Sequence, residues 1–233
     1  TLTILAASWL RYVRGLNVLV VDCDFPQNSI VELREREKKA VMKNDAYKLM
    51  LQRQFERLQK KAYPVIRSTP ENAENDVQVF LASESEPYDV VLYDLPGTMG
   101  TKGVIYTISL LNYLFIPMRA DRLVMQSTLN FAQTVYDKFV ENPATNIQEV
   151  FLFWNMEDRR ERTNIYTLYE RILATLDMKV YISRIQMRSK FSRELADADG
   201  TVYRSTLFRS DGTFLRESGM AALMDEICTT IGI

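Results

Sequence analysis

The 233-residue sequence contains no histidine, only two cysteines and no long apolar run. Without histidine, Ser-His and Cys-His nucleophile systems and most zinc sites are excluded. Cys23 and Cys228 have neither metal-site nor redox-motif spacing, which favours a reducing cytoplasm. No stretch approaches the roughly 20 apolar residues of a membrane span, and no signal peptide is recognisable. We therefore expect a cytoplasmic protein with no membrane partner, whose chemistry uses carboxylates, amines, hydroxyls, backbone amides or a bound metal.

Charge is nearly balanced over the whole chain, with 29 Lys and Arg against 30 Asp and Glu. A net charge of -1 gives no global attraction to nucleic acid or membrane, so any basic surface must be local. Residues 31–61 are the exception, with ten Lys or Arg against five Asp or Glu. Apolar residues recur there at helical spacing, which predicts one long or broken basic amphipathic helix.

Short apolar segments alternate with helical patterns along the chain. We predict strands at residues 18–21, 63–67, 90–93, 114–117, 150–154 and 180–182. We predict helices at residues 2–14, 31–61, from about 70, 122–140, 163–176, 187–193 and 218–231. This alternation indicates an α/β fold, with a doubly wound, mostly parallel sheet and helices on both faces. The length suffices for one core, so we expect a single domain over residues 1–233.

Polar side chains follow three of the predicted strands. Asp22 and Asp24 end the first, Asp94 ends the strand at 90–93, and Asn155 ends a later one. The carboxyl ends of parallel strands meet at one sheet edge, where ligands bind in open α/β sheets. A single Asp after a strand is more often a turn or helix-cap residue than a catalyst. The combined pattern nevertheless favours a functional site.

Four segments carry a resemblance to a known family. They are VLVVDCDFPQNS (18–29), YDVVLYDLPGTMG (88–100), YLFIPMRADRLVMQST (113–128) and VYISRIQMRSKF (180–191). In order and spacing they resemble the ParA/MinD-type ATPases, the deviant Walker A class of P-loop NTPases. The first resembles the family's strand with paired acids and the second its Walker B segment. The narrower similarity is to ParA-like proteins of Bacteroidetes conjugative transposons.

The resemblance implies slow ATP hydrolysis with ATP and Mg²⁺ as cofactors. Asp22 would orient the attacking water or accept its proton. Asp24 would contact Mg²⁺ through water or shape the switch, and Asp94 would hold a magnesium-bound water. Phosphoryl transfer to water needs the water positioned and the γ-phosphate charge neutralised, and it needs little covalent catalysis from the protein.

Further nucleotide contacts are implied by the same resemblance. Thr1 would lie at the phosphates, just after the residue that binds magnesium. Pro96 and Gly97 would form a switch loop close to the γ-phosphate. Asn155 would read adenine, and Arg184 would form the other wall of the base pocket.

One part of the family pattern is missing from residues 1–233. The family opens with a strand and the loop K-G-G-x-G-K-(S/T)-(S/T), whereas this sequence starts where the first helix leaves that loop. We therefore expect the chain as numbered to be inactive. We also expect residues 90–93 to lack a strand partner on one side, because the missing strand would lie beside them.

ParA-like proteins form ATP-dependent homodimers that bind DNA without sequence preference, and the resemblance extends this role to plasmid partition or conjugative transfer. Phosphate contacts of that kind require Lys and Arg but no sequence code. The candidates are Arg188, Lys190 and Arg193, with a second cluster at Arg159, Arg160 and Arg162. Residues 34–61 are a further candidate patch, or a docking helix for an unidentified partner protein that stimulates hydrolysis.

Three alternatives stay open. A phosphoacceptor receiver domain also has an acid pair after one strand and an Asp after another, although it has about half this length. An amide-forming enzyme of the same superfamily would need a substrate pocket. A nucleotide-free adaptor or DNA-associated structural protein of the same fold is favoured if the phosphate-binding loop is absent from the gene.

Overall fold

The computed structural model describes residues 1–97, 101–158, 160, 164–195 and 200–233. The strands are β1 (Val18–Asp22), β2 (Val65–Arg67), β3 (Val90–Asp94), β4 (Tyr113–Met118), β5 (Glu149–Trp154) and β6 (Lys179–Val180). The helices are α1 (Leu2–Tyr12), α2 (Ser29–Lys43), α3 (Asp45–Leu58), α4 (Ala73–Ser83), α5 (Lys102–Leu110), α6 (Arg122–Val135), α7 (Ile165–Thr175), α8 (Gly212–Glu217) and α9 (Met220–Ile231). Within the described ranges, no helix has the length and apolar character that a bilayer crossing requires.

One compact unit comprises Thr1–Val104 and Ser189–Phe214. Its three strands are all parallel and lie in the order β2-β1-β3. Every residue of β1 is buried, which is the pattern of a parallel strand covered on both faces. Leu19 and Val21 pack towards α4, and the alternating residues of the strand point to the opposite face. This strand is the centre of the unit.

The basic segment predicted at residues 31–61 forms two helices rather than one. The break is at Asn44, whose side-chain oxygen accepts hydrogen bonds from the backbone N–H groups of Ala46 and Tyr47. Asn is among the preferred N-cap residues, so it ends α2 and starts α3. The inner side of the pair packs on a small cluster that includes Val41 and Phe208. We refer to α2 and α3 together as the helical hairpin.

The other compact unit comprises Ile105–Arg188 and Leu215–Ile233. Its strands are also parallel, in the order β4-β5-β6. Phe115, Phe151 and Tyr181 stack on one face, with ring centroids 4.9–6.2 Å apart. The prediction of an α/β fold with parallel sheets and flanking helices is confirmed. The assignment of residues 1–233 to a single domain stays a prediction.

Some predicted helix limits were wrong. The helix expected from about residue 70 begins at Ala73, because Thr69 to Asn72 form a turn closed by Asn72 N–H and Thr69 C=O at 3.1 Å. The predicted helix at 187–193 is only a 3₁₀ turn at Ser189–Ser192. The helix expected to run to residue 140 ends at Val135 and continues as a π turn.

The predicted closing helix at 218–231 begins two residues later, at Met220, and a separate short helix, α8, precedes it. Gly219 separates α8 from α9 with a φ of +83°, a conformation that favours glycine. A Cβ atom there would lie 2.1 Å from the Arg184 carbonyl oxygen. Both backbone conformation and close packing therefore require glycine at this position.

Each sheet ends in a strand with an open edge. Within the described part of the chain, β3 pairs only with β1, and β4 pairs only with β5. All five residues of β3 are half-buried, whereas all five of β1 are buried. Residues 90–93 thus have a strand partner on one side only in the described ranges, whereas a missing neighbouring strand stays a prediction.

Candidate functional site

The first unit brings Asp22 and Asp94 together at the carboxyl ends of adjacent strands. Their Cα atoms are direct partners in the β1–β3 register. The next backbone N–H, of Cys23, donates to the Asp94 carbonyl oxygen at 3.0 Å. Two acids far apart in sequence thus lie side by side at the edge where ligands bind in this class of fold.

Asp22 is fully buried and acts as a helix cap. Its Oδ2 atom accepts hydrogen bonds from the backbone N–H groups of Ile30 and Val31, at 2.9 and 3.0 Å. Its Oδ1 atom accepts a longer one, 3.4 Å, from Asp24 N–H. Backbone donors at the N-terminus of α2 therefore satisfy this carboxylate, as they do for acidic N-cap residues. Oδ2 is thus engaged by two backbone donors, whereas Oδ1 has only the longer contact.

Asp24 has a different environment two residues later. It is half-buried, and its carboxylate accepts no hydrogen bond from the residues that the structure describes. Its backbone carbonyl accepts from Asn28 N–H at 2.8 Å, which closes the turn before α2. The Asp24 carboxylate can therefore accept a hydrogen bond from water or bind a cation.

Asp94 contacts the first turn of α1. The Thr3 hydroxyl donates to Asp94 Oδ1 at 2.5 Å. Its other oxygen has no hydrogen-bond partner in the described ranges. The start of α1 thus faces the carboxyl ends of β1 and β3, as predicted.

Pro96 and Gly97 follow β3 directly. Pro96 is half-buried and Gly97 is exposed. A Cβ atom on Gly97 would meet nothing within 4 Å, so packing gives no reason for glycine there. Their switch-loop role stays a prediction.

The second unit brings Asn155 and Arg184 onto neighbouring segments. Ile185 N–H donates to the carbonyl of Trp154, the last residue of β5, at 2.8 Å. Arg184 donates to Glu157 and Glu170, each at 2.5 Å. Its guanidinium is therefore held by two carboxylates, and only the side-chain stem and backbone could line a base pocket.

The three candidate DNA contacts differ in their surroundings. In the second unit, Arg188 donates to the carbonyl of Glu217 at 2.9 Å and to its carboxylate at 3.3 Å. In the first unit, Lys190 and Arg193 lie over the ring of Tyr203, at 4.9 and 5.8 Å from its centroid. Arg188 is thus paired with Glu217, whereas Lys190 and Arg193 contact the face of the Tyr203 ring.

The cluster proposed around residue 160 is only partly described. Arg159 and Arg162 lie outside the described residues. Arg160 is exposed and forms a salt bridge with Asp158 at 2.8 Å.

A buried polar cluster on α2 was missed from the sequence. Arg34 and Glu37 are both buried and both bind Thr206: the arginine donates to its hydroxyl and carbonyl oxygens, and the glutamate accepts from its N–H and hydroxyl. Burial raises the pKa of Glu37, against the opposing effect of hydrogen bonds from Thr206 and Ser205. The one available signal was that both residues fall on the apolar stripe of an otherwise basic helix.

The donor set suits a magnesium ion shared with a ligand rather than a metal site built from protein alone. In the described ranges, no group of three or more His, Cys, Asp or Glu is arranged to hold a metal. Mg²⁺ keeps several waters and takes one or two carboxylates together with phosphate oxygens. Asp94 and Asp24 provide that number of carboxylates.

No protein-family model matches this sequence, and no curated protein sequence is significantly similar to it. Solved structures are similar in fold. A plasmid partition protein from Borrelia burgdorferi has a TM-score of 0.56 at 15% identity, over 97% of this chain and 91% of that chain. Another from Borrelia burgdorferi B31, bound to AMPPNP, has a TM-score of 0.59 at 15% identity, over 97% and 92%. The MinC:MinD cell division complex of Aquifex aeolicus gives 0.56 at 15% identity, over 100% and 90%.

At this level of identity the similarity concerns the fold alone. The chain has the parallel α/β fold of these plasmid partition proteins and of MinD. The similarity extends over nearly the whole chain, which argues against a receiver domain of about half this length.

Proposed function

We propose that the protein is a ParA/MinD-type ATPase that dimerises on ATP. The observation that carries this proposal is the pairing of Asp22 with Asp94 at the carboxyl ends of β1 and β3, next to the first turn of α1. Acids at that edge beside a helix N-terminus combine cation binding with anion binding, which a magnesium nucleotide requires.

Asp94 and Thr3 hold the cation side of the proposed site. The Thr3 hydroxyl donates to one Asp94 oxygen, which leaves the other to accept from a water on Mg²⁺. When bound, the magnesium nucleotide supplies the phosphoryl group and the charge that stabilises its transfer. Thr1 lies at the start of α1, where backbone N–H groups and the helix dipole favour phosphate.

Asp24 is the better candidate to position water. Asp22 Oδ2 accepts from two N–H groups of α2 and its Oδ1 from Asp24 N–H, whereas the Asp24 carboxylate is half-buried and accepts no hydrogen bond within the described residues. We therefore assign water positioning to Asp24. Asp22 then acts by fixing the loop and helix that carry Asp24.

The residues that cradle phosphate in such ATPases are not among residues 1–233. We propose that polypeptide preceding Thr1 supplies them, together with a strand that pairs with β3. The half-buried open edge of β3 supports this, because an uncovered parallel edge leaves N–H and C=O groups ready to pair with another strand.

We further propose that this ATPase acts in partition or conjugative transfer of a mobile element, as in the TraA proteins of Bacteroidetes conjugative transposons. The ATP-bound dimer would bind DNA without sequence preference through Arg188, Lys190 and Arg193. An unidentified partner protein would stimulate hydrolysis, with the helical hairpin as one candidate docking surface.

A nucleotide-free adaptor of the same fold is the second candidate. The observation that favours it is the purely structural use of Asp22, because a capping carboxylate needs no nucleotide. Such a protein would still require a strand at the β3 edge.

Two measurements separate these functions. The gene sequence upstream of Thr1 will encode Gly-x-x-x-x-Gly-Lys if the protein is an ATPase. Protein that includes this segment should bind ATP in the presence of Mg²⁺, by calorimetry, and hydrolyse it slowly. Absence of both the motif and nucleotide binding would leave the adaptor as the function.

A further inference from the structure

A chain of charged side chains ends at Thr1, the N-cap residue of α1. Arg36 of α2 binds Glu194 through two nitrogens, at 2.9 and 3.2 Å. Glu194 also accepts from Arg204 at 3.0 Å, and Arg204 donates through its other terminal nitrogen to Thr1 Oγ1 at 3.0 Å. The four residues lie in the same compact unit.

The direction of the last hydrogen bond determines what the Thr1 hydroxyl can do. A guanidinium group has donors and no acceptor, so Thr1 Oγ1 must accept from Arg204. The hydroxyl proton of Thr1 is then available to a second acceptor. Thr3 differs, because its proton is already given to Asp94.

We infer that Arg204 is a positioning residue for phosphate binding at the start of α1. This inference rests on the proposed nucleotide function. Arg204 turns the Thr1 hydroxyl into a donor towards an anion and adds positive charge beside the N-terminal end of the helix. Glu194 holds the guanidinium in place, and Arg36 connects that carboxylate to α2.

The burial of Arg204 favours positioning over a loose surface ion pair. Its side chain is 17% exposed, whereas that of Arg36 is 54% exposed. Exposed ion pairs contribute little to stability, so the Arg36–Glu194 pair does not by itself explain the arrangement. A long side chain held by a carboxylate nevertheless loses less conformational freedom when it binds its target.

The test is a double-mutant cycle in full-length protein that includes the phosphate-binding segment. Affinity for a fluorescent ADP analogue with Mg²⁺ is measured for wild type, R204A, Thr1→Val and the double variant. We expect each single variant to weaken binding about tenfold, and the double variant to be no weaker than either one. R204K should recover part of the affinity, and E194Q should weaken it in the same direction. Arg209→Ala removes an exposed arginine nearby and should leave affinity unchanged.

The outcomes separate this inference from the proposed function. Additive losses, or wild-type affinity in R204A, would overturn the role of Arg204 and leave the ATPase intact. Failure of wild type to bind nucleotide would overturn the proposed function and this inference together. If R204A does not fold, R204K and E194Q carry the test, and wild-type affinity in both would overturn it.

Discussion

Asp22 and Asp24 show how two acids in one short motif can have different tasks. Asp22 is buried against three backbone N–H groups, whereas Asp24 is half-buried with no hydrogen bond to its carboxylate in the described ranges. Both side chains were expected to face one ligand, because a spacing of two keeps them on one side of an extended strand. The turn begins only at Phe25, and Cys23 still donates to the Asp94 carbonyl at 3.0 Å, so a shared ligand for the two acids stays a prediction.

Substitution of the two acids should therefore give different results. Asp24→Ala should abolish ATP turnover while leaving unfolding free energy and nucleotide affinity near wild type. Asp22→Ala should lower the free energy of unfolding by roughly 2–4 kcal/mol, because it leaves buried backbone donors without an acceptor. Denaturant titrations and single-turnover kinetics on full-length protein measure both effects. Unchanged stability in Asp22→Ala would contradict the capping role.

Glu37 should make stability depend on pH. Burial raises its pKa, so the folded state binds this proton more tightly than the unfolded state. That contribution is fully present below the unfolded pKa and is lost as pH rises through the folded pKa. Between pH 4 and pH 8, stability should therefore fall more, or rise less, in wild type than in Glu37→Gln. Denaturant midpoints across this range test the difference, and parallel profiles would show that Glu37 does not contribute.

The positions of Asp22 and Asp94 could be predicted from the sequence, but the contact that Arg204 makes nearby could not. Asp22 and Asp94 each follow an apolar strand, so one parallel sheet places them together. Arg204 reaches the same region by donating to Thr1, which is 203 positions away in the chain. Contacts over such distances leave no periodic pattern, because they depend on how loops return to the core.

At the scale of elements, the two neighbouring strands β1 and β3 differ in burial despite similar composition. β1 has a parallel partner on each side, whereas β3 has one in the described part of the chain. A run of apolar residues predicts a strand in both cases, but its number of neighbours depends on the rest of the fold. Helix limits were harder to predict, because the breaks at Asn44 and Gly219 depend on single capping or close-packed residues.

The open edge of β3 leads to a prediction about amide hydrogen exchange. In the described part of the chain, alternate backbone N–H groups of β3 face no strand and should exchange quickly in a protein of residues 1–233, whereas those of β1 should be protected. Polypeptide that adds the proposed neighbouring strand should protect all of them. NMR exchange on both forms measures this difference. Complete protection of β3 in residues 1–233 alone, in a monomer shown by sedimentation, would contradict the missing strand.

At the scale of the whole molecule, the charge balance near zero means that any DNA binding must come from local surfaces. The helical hairpin has exposed cations such as Arg53 and Arg57, for which the described residues provide no acidic partner within 4 Å. Arg193 is also exposed, while Arg188 is already paired with Glu217. These surfaces give two separable candidates for phosphate contacts.

We predict salt-sensitive, sequence-independent DNA binding by the ATP-bound dimer. Each phosphate contact releases counterions, so affinity should fall steeply between about 50 and 200 mM salt. Combined Lys190→Gln and Arg193→Gln substitutions should weaken DNA binding. They should also reduce the slope of log affinity against log salt concentration by about one to two. Arg188→Gln should have a smaller effect, because Glu217 already neutralises that charge. Arg53→Gln with Arg57→Gln is the matched control, measured by fluorescence anisotropy on random-sequence duplexes. A larger loss in the control would move the DNA surface to the helical hairpin, and affinity that ignores salt would exclude phosphate contacts altogether.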